Sequence, residues 1–192
     1  MIHSGAMSEI TASLRAVKLV FVGDSITEGG STFSNWRYPL WEKLYTAGYL
    51  VEYTGTRKSP SRIGDLPHEG YGGKNSGFLA ATVPANFEKS PADIVLLHAG
   101  HNHFAEEKPV PQILKDTEAL IAAFRTELAA PTVPFVVGQL GQFAGSPWNE
   151  FKTEVDRAHR ALPQKVPHTA FVPSDGLKDK GDKTHFDATR HC

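Results

Sequence analysis

The sequence predicts an α/β protein: a three-layer α/β/α sandwich around a parallel, flavodoxin-like sheet of about five strands. Three observations carry this prediction. Short apolar runs rich in Val, Leu and Phe recur along the chain, stretches with helical spacing follow several of them, and Gly closes three of them, at Gly23, Gly55 and Gly100. Parallel strands are buried on both faces and so read as continuous apolar runs. Repeated βα alternation places helices on both faces of such a sheet. Periodicity alone leaves the strand order open.

The elements follow in order. "VKLVFVG" (Val17 to Gly23) reads as a strand that stops on the small polar turn Asp24, Ser25 and Thr27. "NWRYPLWEKLYTAG" reads as a helix with Trp41, Leu44 and Tyr45 on one face and Gly48 as its stop. "YLVEYTG" (Tyr49 to Gly55) is a second strand, and a polar, glycine-rich loop is expected from Thr56 to Asn75. "SGFLAATVPANFEKS" has Leu79, Val83 and Phe87 at helical spacing, with Pro84 as a weakness. "ADIVLLHAG" (Ala92 to Gly100) is a buried strand. In "PQILKDTEALIAAFRTELAA" an apolar stripe runs through Ile113, Leu114, Thr117, Leu120, Ile121, Phe124 and Leu128. "VPFVVGQLG" is another strand, "WNEFKTEVDRAHRAL" a helix with Phe151, Val155 and Leu162 inward, and "HTAFVPS" a short last strand.

Composition bounds the function. A chain of 192 residues fits one domain, placed at 17–192, able to bury roughly 70% of its unfolded surface. Hydrophobic residues make up 40%, charged residues 21%, and the formal net charge is -1, without a basic stripe, so no nucleic-acid partner is indicated. No apolar run approaches the ~18 residues of a membrane span, and no membrane partner is expected. The lone cysteine, Cys192, excludes an internal disulfide and argues against a cysteine nucleophile or cysteine metal site. Residues 1–16 read as an N-terminal segment, in part an expression scar, with Met7 a candidate native start. They lack the apolar core of a signal peptide, so the compartment stays open between the cytoplasm and secretion with a removed leader.

Four polar blocks fall at strand ends or in loops: "GDSITEG" with Ser25, "HEGYGG" ending on Gly73, "GHN" ending on Asn102, and "DKTH" from Asp182 to His185. Acyl transfer needs this inventory. A serine hydroxyl needs a base, the base needs a carboxylate to fix its tautomer, and the oxyanion needs converging donors. The spacing of Asp182 and His185 lets the carboxylate reach Nδ1 of its own neighbour, leaving Nε2 for Ser25. The oxyanion donors would be the Ser25 and Gly73 N–H groups and the Asn102 amide. His98, His101 and His103 in "HAGHNH" lie close enough to suggest zinc, but His98 falls in the strand and the others after it, and loop hydrogen bonding is the simpler role. His68 and Glu69 are expected to brace their own loop.

In these four blocks the sequence resembles the SGNH hydrolases, or GDSL-type esterases, from Val17 to about Asp187. The resemblance implies Ser25, Asp182 and His185 as the catalytic residues, Ser25, Gly73 and Asn102 as the oxyanion hole, and no metal or organic cofactor. "HEGYGG" with "VEYTGTR" is similar to acetylesterases that act on xylan, and "FVVGQLGQF" with "GLKDKGDKTHFDA" to the sialate O-acetylesterase group. Both imply removal of O-acetyl groups from carbohydrates or other small acetyl esters.

Three features depart from the family pattern. His103 stands where the third block carries Asp, so altered support around Asn102 is expected. Gly72 replaces a larger residue, which is expected to loosen the loop carrying Gly73. The chain stops seven residues after His185, room for at most about two helical turns in place of the family's closing helix. The expectation is a truncated chain, or a homo-oligomer whose other copy covers that surface. Three other functions stay open: a broad short-chain carboxylesterase or lysophospholipase of the same fold, a flavodoxin-like phosphate-binding module, and a non-catalytic sugar-binding relative. An α/β-hydrolase is disfavoured because its elbow needs Gly where Thr27 stands.

Overall fold

The computed structural model describes residues 15–30, 34–104, 109–142 and 145–174. β1 (Val17–Gly23) is its central strand. One edge of β1 pairs in parallel with β5 (Ile94–His98) from Leu19↔Ile94 to Gly23↔His98. The other edge is shared. Its first half pairs with β2 (Val51–Thr54), and its last two residues, Val22 and Gly23, pair with β4 (Leu66–Gly70). Beyond β5 lie β6 (Phe135–Gly138) and β7 (Thr169–Val172), both parallel. The order β2-β1-β5-β6-β7 is the flavodoxin-like 2-1-3-4-5 order.

Alternation along β1 separates two cores, because successive side chains of a strand point to opposite faces. Val20 and Val22 join Val95, Leu97, Phe135 and Val137 under α3 (Ser76–Phe87) and α4 (Pro109–Thr126), whose Leu79, Val83, Leu120, Ile121 and Phe124 pack there. Leu19 and Phe21 join Tyr53 and Leu66 on the opposite face, under Leu40, Trp41 and Leu44 of α2 (Arg37–Thr46). α5 (Asn149–Arg160) places Val155 and Phe151 against Ile113 and Leu140, and Leu162 of the short α6 (Leu162–Lys165) closes the first core. α2 ends as its Gly predicts. Gly48 has φ +85, and the Tyr49 N–H reaches back to the Leu44 carbonyl at 3.0 Å. Tyr45 is the exception on that helix: it is 64% exposed and stacks on Trp41 instead of turning inward.

The expected loop from Thr56 to Asn75 is mostly a hairpin. β3 (Arg57–Ser59) pairs antiparallel with β4, adding two strands to the five parallel ones. The polar sequences "RKS" and "LPHEG" carry little strand periodicity, because side chains far away in sequence hold this hairpin. One of these is Arg37, which is 0% exposed. Its Nε donates to the Thr27 carbonyl at 2.9 Å, and Nη2 to that of Glu28 at 3.1 Å. Its Nη1 donates to the carbonyls of Leu66 at 2.9 Å and Pro67 at 3.3 Å. Burial lowers the guanidinium pKa to about 10, so it keeps its charge at neutral pH. No carboxylate hydrogen-bonds this cation among the described residues. Four main-chain carbonyls do so instead.

Arg37→Leu leaves those four acceptors buried without their donor. It is expected to lower unfolding stability by about 3 kcal/mol, read from urea denaturation at neutral pH. Arg37→Lys should recover only part of this, because a point charge cannot span carbonyls on two segments. An unchanged midpoint for Arg37→Leu would remove Arg37 as the clamp.

Candidate functional site

Gly23 ends β1 where no side chain fits: a Cβ there would lie 2.2 Å from the His98 carbonyl oxygen and 2.2 Å from Thr27 Oγ1. The chain turns at once into α1 (Ser25–Glu28). Asp24 caps it, with Oδ1 accepting from the Ile26 N–H at 3.0 Å, and its carbonyl accepts from the N–H groups of Thr27 and Glu28. Asp24, Ile26 and Thr27 are buried while Ser25 is half-buried, so the turn presents the serine at the carboxyl edge of the sheet.

The second block comes to the same edge through β4. Gly70 allows close approach, since a Cβ there would lie 2.4 Å from the Glu28 nitrogen. The Tyr71 N–H then donates to the Gly23 carbonyl at 2.8 Å, and the Gly72 N–H to Glu28 Oε2 at 2.9 Å. A Cβ on Gly72 would lie 2.4 Å from that carboxylate oxygen and 3.9 Å from Ser25 Cβ. Gly72 therefore does not loosen the loop. It lets Glu28 fasten it beside Ser25. Gly73 has open space around it and is required instead by its φ of +73. The Lys74 N–H closes the turn onto the Tyr71 carbonyl at 3.1 Å.

The third block follows β5. Gly100, with φ +133, releases the chain into a 3-10 turn, His101–His103. Asn102 Nδ2 donates to the Lys74 carbonyl at 2.9 Å, which joins this turn to the residue after Gly73. An amide nitrogen carries two hydrogens, so one remains for another acceptor. His103 Nε2 accepts from the Ser76 N–H at 3.0 Å, at the start of α3. The altered support expected from His103 is thus an imidazole acceptor for a helix N-terminus. Ser25, Gly73 and Asn102 are brought to one edge. Asp182 and His185, together with the closing segment, lie outside the described residues.

Sequence reasoning missed Glu28, and it read Arg57 only as one of the basic loop residues facing a hydrophilic alcohol. Glu28 Oε1 pairs with the Arg57 guanidinium, which also lies 4.8 Å over the Tyr71 ring. The carboxylate three residues beyond Ser25 was the available signal. His68 and Glu69 do brace the hairpin. Glu69 accepts from the Thr56 N–H, the Tyr71 hydroxyl and the Asn86 amide. His68 Nδ1 accepts from the Gly70 N–H at 2.9 Å. Its Nε2 lies 2.9 Å from Ser59 Oγ, which donates to the Glu28 carbonyl. This chain requires the neutral imidazole, and burial beside Arg37 and Arg57 pushes the His68 pKa down to about 3.

Behind Ser25 lie Asp24, His98 and His101, whose ligand-type atoms are within 4.8 Å of one another. Asp24 Oδ2 is 3.4 Å from His101 Nδ1, and His98 Nε2 is 3.1 Å from the Gln139 carbonyl. A divalent ion here would have to replace the Asp24–His101 contact. Burial, then the neighbouring His101, lowers the His98 pKa to about 4. Burial, the largest single influence, would raise that of Asp24, but His101, His98 and the Ile26 N–H together lower it.

The fold is that of the SGNH hydrolases. The structure superposes on a family 3 carbohydrate esterase from Clostridium thermocellum with a TM-score of 0.71 at 23% identity, covering 91% of this chain and 89% of that one. It matches a family 3 carbohydrate esterase from Talaromyces cellulolyticus with a TM-score of 0.68 at 22% identity, covering 90% and 89%. AlinE4, an SGNH-hydrolase family esterase, gives a TM-score of 0.61 at 13% identity, covering 82% and 76%. No curated protein sequence matches the chain. Residues 78–192, more than half of the chain, match the family model described as carbohydrate esterase, sialic acid-specific acetylesterase. The chain belongs to that carbohydrate esterase family and is a carboxylic ester hydrolase of the carbohydrate acetylesterase type.

The neutral His68 gives the hairpin a pH limit. An unfolded imidazole takes up its proton near 6.5, whereas His68 in the fold resists down to about 3. Between these values the unfolded chain binds more protons, so stability present above pH 6.5 is lost as the pH falls toward 3. His98 and His159, both lowered to about 4, act in the same direction. His68→Gln should therefore show a shallower loss of thermal stability between pH 6.5 and 4 than the parent. Parallel curves would show that His68 does not contribute.

Proposed function

We propose that the enzyme removes acetyl groups from sugar hydroxyls through an acyl-enzyme on Ser25. His185, oriented by Asp182, takes the Ser25 proton as Oγ attacks the acetyl carbonyl. The C–O bond to the sugar then breaks, and the departing alkoxide receives the proton from His185. Water, deprotonated by His185, attacks the acetyl-serine and releases acetate. The oxyanion formed in each half is held by the Ser25 and Gly73 N–H groups and by Asn102 Nδ2. The observation that carries this reading is the convergence of the first three blocks: Gly72 lies against Ser25, and Asn102 is bonded to Lys74.

The small residues around Ser25 favour a short acyl group. Gly23, Gly70 and Gly72 fill the space behind and beside the serine with main chain and leave little apolar wall. A longer chain would need an apolar slot beside Ser25, where each buried methylene would add ~0.8 kcal/mol. None of Ser25, Gly73 and Asn102 is among the residues lining the apolar hollow found among the described residues. That hollow, of about 420 Å³, lies at the ends of β5 to β7, lined in part by Trp36, Leu40, Leu96, Val136 and Val172. Three basic side chains of the hairpin region lie over rings: Arg57 over Tyr71, Arg62 over Tyr38, and Lys74 over Phe78. That arrangement leaves a polar rim suited to a sugar alcohol.

Ser25→Ala should cut acetate release by several orders of magnitude with folding intact, and Asn102→Ala should lower kcat by roughly 10²–10³-fold with little change in KM. Across aryl esters, kcat/KM should fall from acetyl through butyryl to octanoyl, and acetylated oligosaccharides should release acetate. Retained activity in Ser25→Ala would refute the nucleophile. An octanoyl maximum without acetate release from any sugar would favour the lipid-esterase reading.

A further inference from the structure

We propose that His101 is a positioning residue that sets the oxyanion turn relative to the nucleophile turn by way of Asp24; this rests on the roles given above to Ser25 and Asn102. The β1–β5 ladder ends at Gly23↔His98. One step further, the two chains diverge, β1 into α1 and β5 through Gly100 into the 3-10 turn. Past that point the Asp24–His101 contact joins the segment bearing Ser25 to the segment bearing Asn102.

Asp24 serves both sides of the joint. Its Oδ1 caps α1 at the Ile26 N–H, 3.0 Å away, and its Oδ2 faces His101 Nδ1 at 3.4 Å. Both residues are deeply buried, with 1% of Asp24 and 6% of His101 exposed. Among the described residues, Asp24 Oδ2 and both ring nitrogens of His101 have no hydrogen-bond partner. Asp24 Oδ2 and His101 Nδ1 therefore face each other, with His98 beside both and the Asp156 carboxylate also acting on His101, in surroundings where water does little to weaken the attraction. The contact does not need a charged imidazole, since a neutral ring can carry its hydrogen on Nδ1 toward the carboxylate.

The three side chains of the turn fix it to three separate segments. His101 reaches the cap of α1, Asn102 the carbonyl of Lys74, and His103 the first N–H of α3. His101 is the one that reaches the nucleophile segment. The His98 ring packs beside it at 5.4 Å between centroids. A donor aimed at an oxyanion tolerates little displacement, and an error of about 1 Å from a remote change can cost on the order of 10²-fold in rate. The loss should fall on kcat, because the charge that Asn102 meets exists only in the transition state.

The test is steady-state hydrolysis of p-nitrophenyl acetate by His101→Ala, His101→Asn, Asn102→Ala and the double variant His101→Ala/Asn102→Ala. His101→Ala should lower kcat on the order of 10 to 10²-fold, with KM within about threefold of the parent. His101→Asn, whose Nδ2 can donate to Asp24 from the same branch point, should recover most of the loss, and it carries the test if the alanine variant does not fold. In the Asn102→Ala background the His101 change should cost less than about threefold, because its effect runs through Asn102. Full activity in His101→Ala, costs that multiply in the double variant, or an asparagine variant no better than alanine would overturn the proposal. Activity retained in Ser25→Ala, or unaltered kcat in Asn102→Ala, would overturn the site assignment and this coupling with it. An inactive Ser25→Ala and an impaired Asn102→Ala beside a fully active His101→Ala would overturn the coupling alone.

Discussion

A buried guanidinium held by main-chain carbonyls is the constraint on which the carboxyl edge of this sheet depends. Arg37 grips the exit of the nucleophile turn at Thr27 and Glu28 and the entry of β4 at Leu66 and Pro67. Tyr53 anchors the clamp from below, its hydroxyl donating to the Arg37 carbonyl at 2.9 Å. The charge also acts beyond its hydrogen bonds. It helps keep His68 neutral, and neutral His68 is what accepts from Gly70 and meets Ser59. One cation thereby organises two turns and the protonation of a third group. Arginine suits this position because its planar fork presents several fixed donors at once.

The parallel strands and their helices were legible in the sequence because they rest on apolar periodicity, which is local. Val20 and Val22 against Leu19 and Phe21 already separate the two cores by alternation. The placement of Ser25 and Asn102 was legible because each sits in a short block at a strand end, and that of Gly73 only from its glycine-rich block inside the expected loop. The hairpin was not. Its strands are short and polar, and its stability comes from Arg37, Glu69 and His68, whose partners are far away in sequence or belong to the main chain. Tyr45 was misread for a related reason: helical spacing marks a face but not its burial, and at the end of α2 stacking on Trp41 takes the place of packing against the core.

The two departures inside the described blocks have one physical explanation. In each, a side-chain acceptor holds a main-chain N–H that lies far away in sequence. Glu28 holds the Gly72 amide, so a glycine there is fixed as firmly as a bulkier residue packed in place. His103 Nε2 satisfies the Ser76 N–H, one of the donors that a helix start leaves unpaired. An imidazole can fill this role where a carboxylate is usual because the helix end needs an acceptor lone pair and does not need a full negative charge.

The shared edge of β1 bears on how such an enzyme can diversify. β2 occupies the first half of that edge and β4 the last two residues, so the β3–β4 hairpin is appended to a sheet already complete without it. A segment of that kind can change in length and chemistry without disturbing the five-strand order. Here it carries Gly73 at one end and cation-bearing aromatic rings on its flank. The hairpin is thus a piece of chain apart from the five-strand order, yet it is tied to the nucleophile turn at several points: through Arg37, through Glu28 with Arg57 and the Gly72 N–H, and through the Tyr71 N–H on the Gly23 carbonyl.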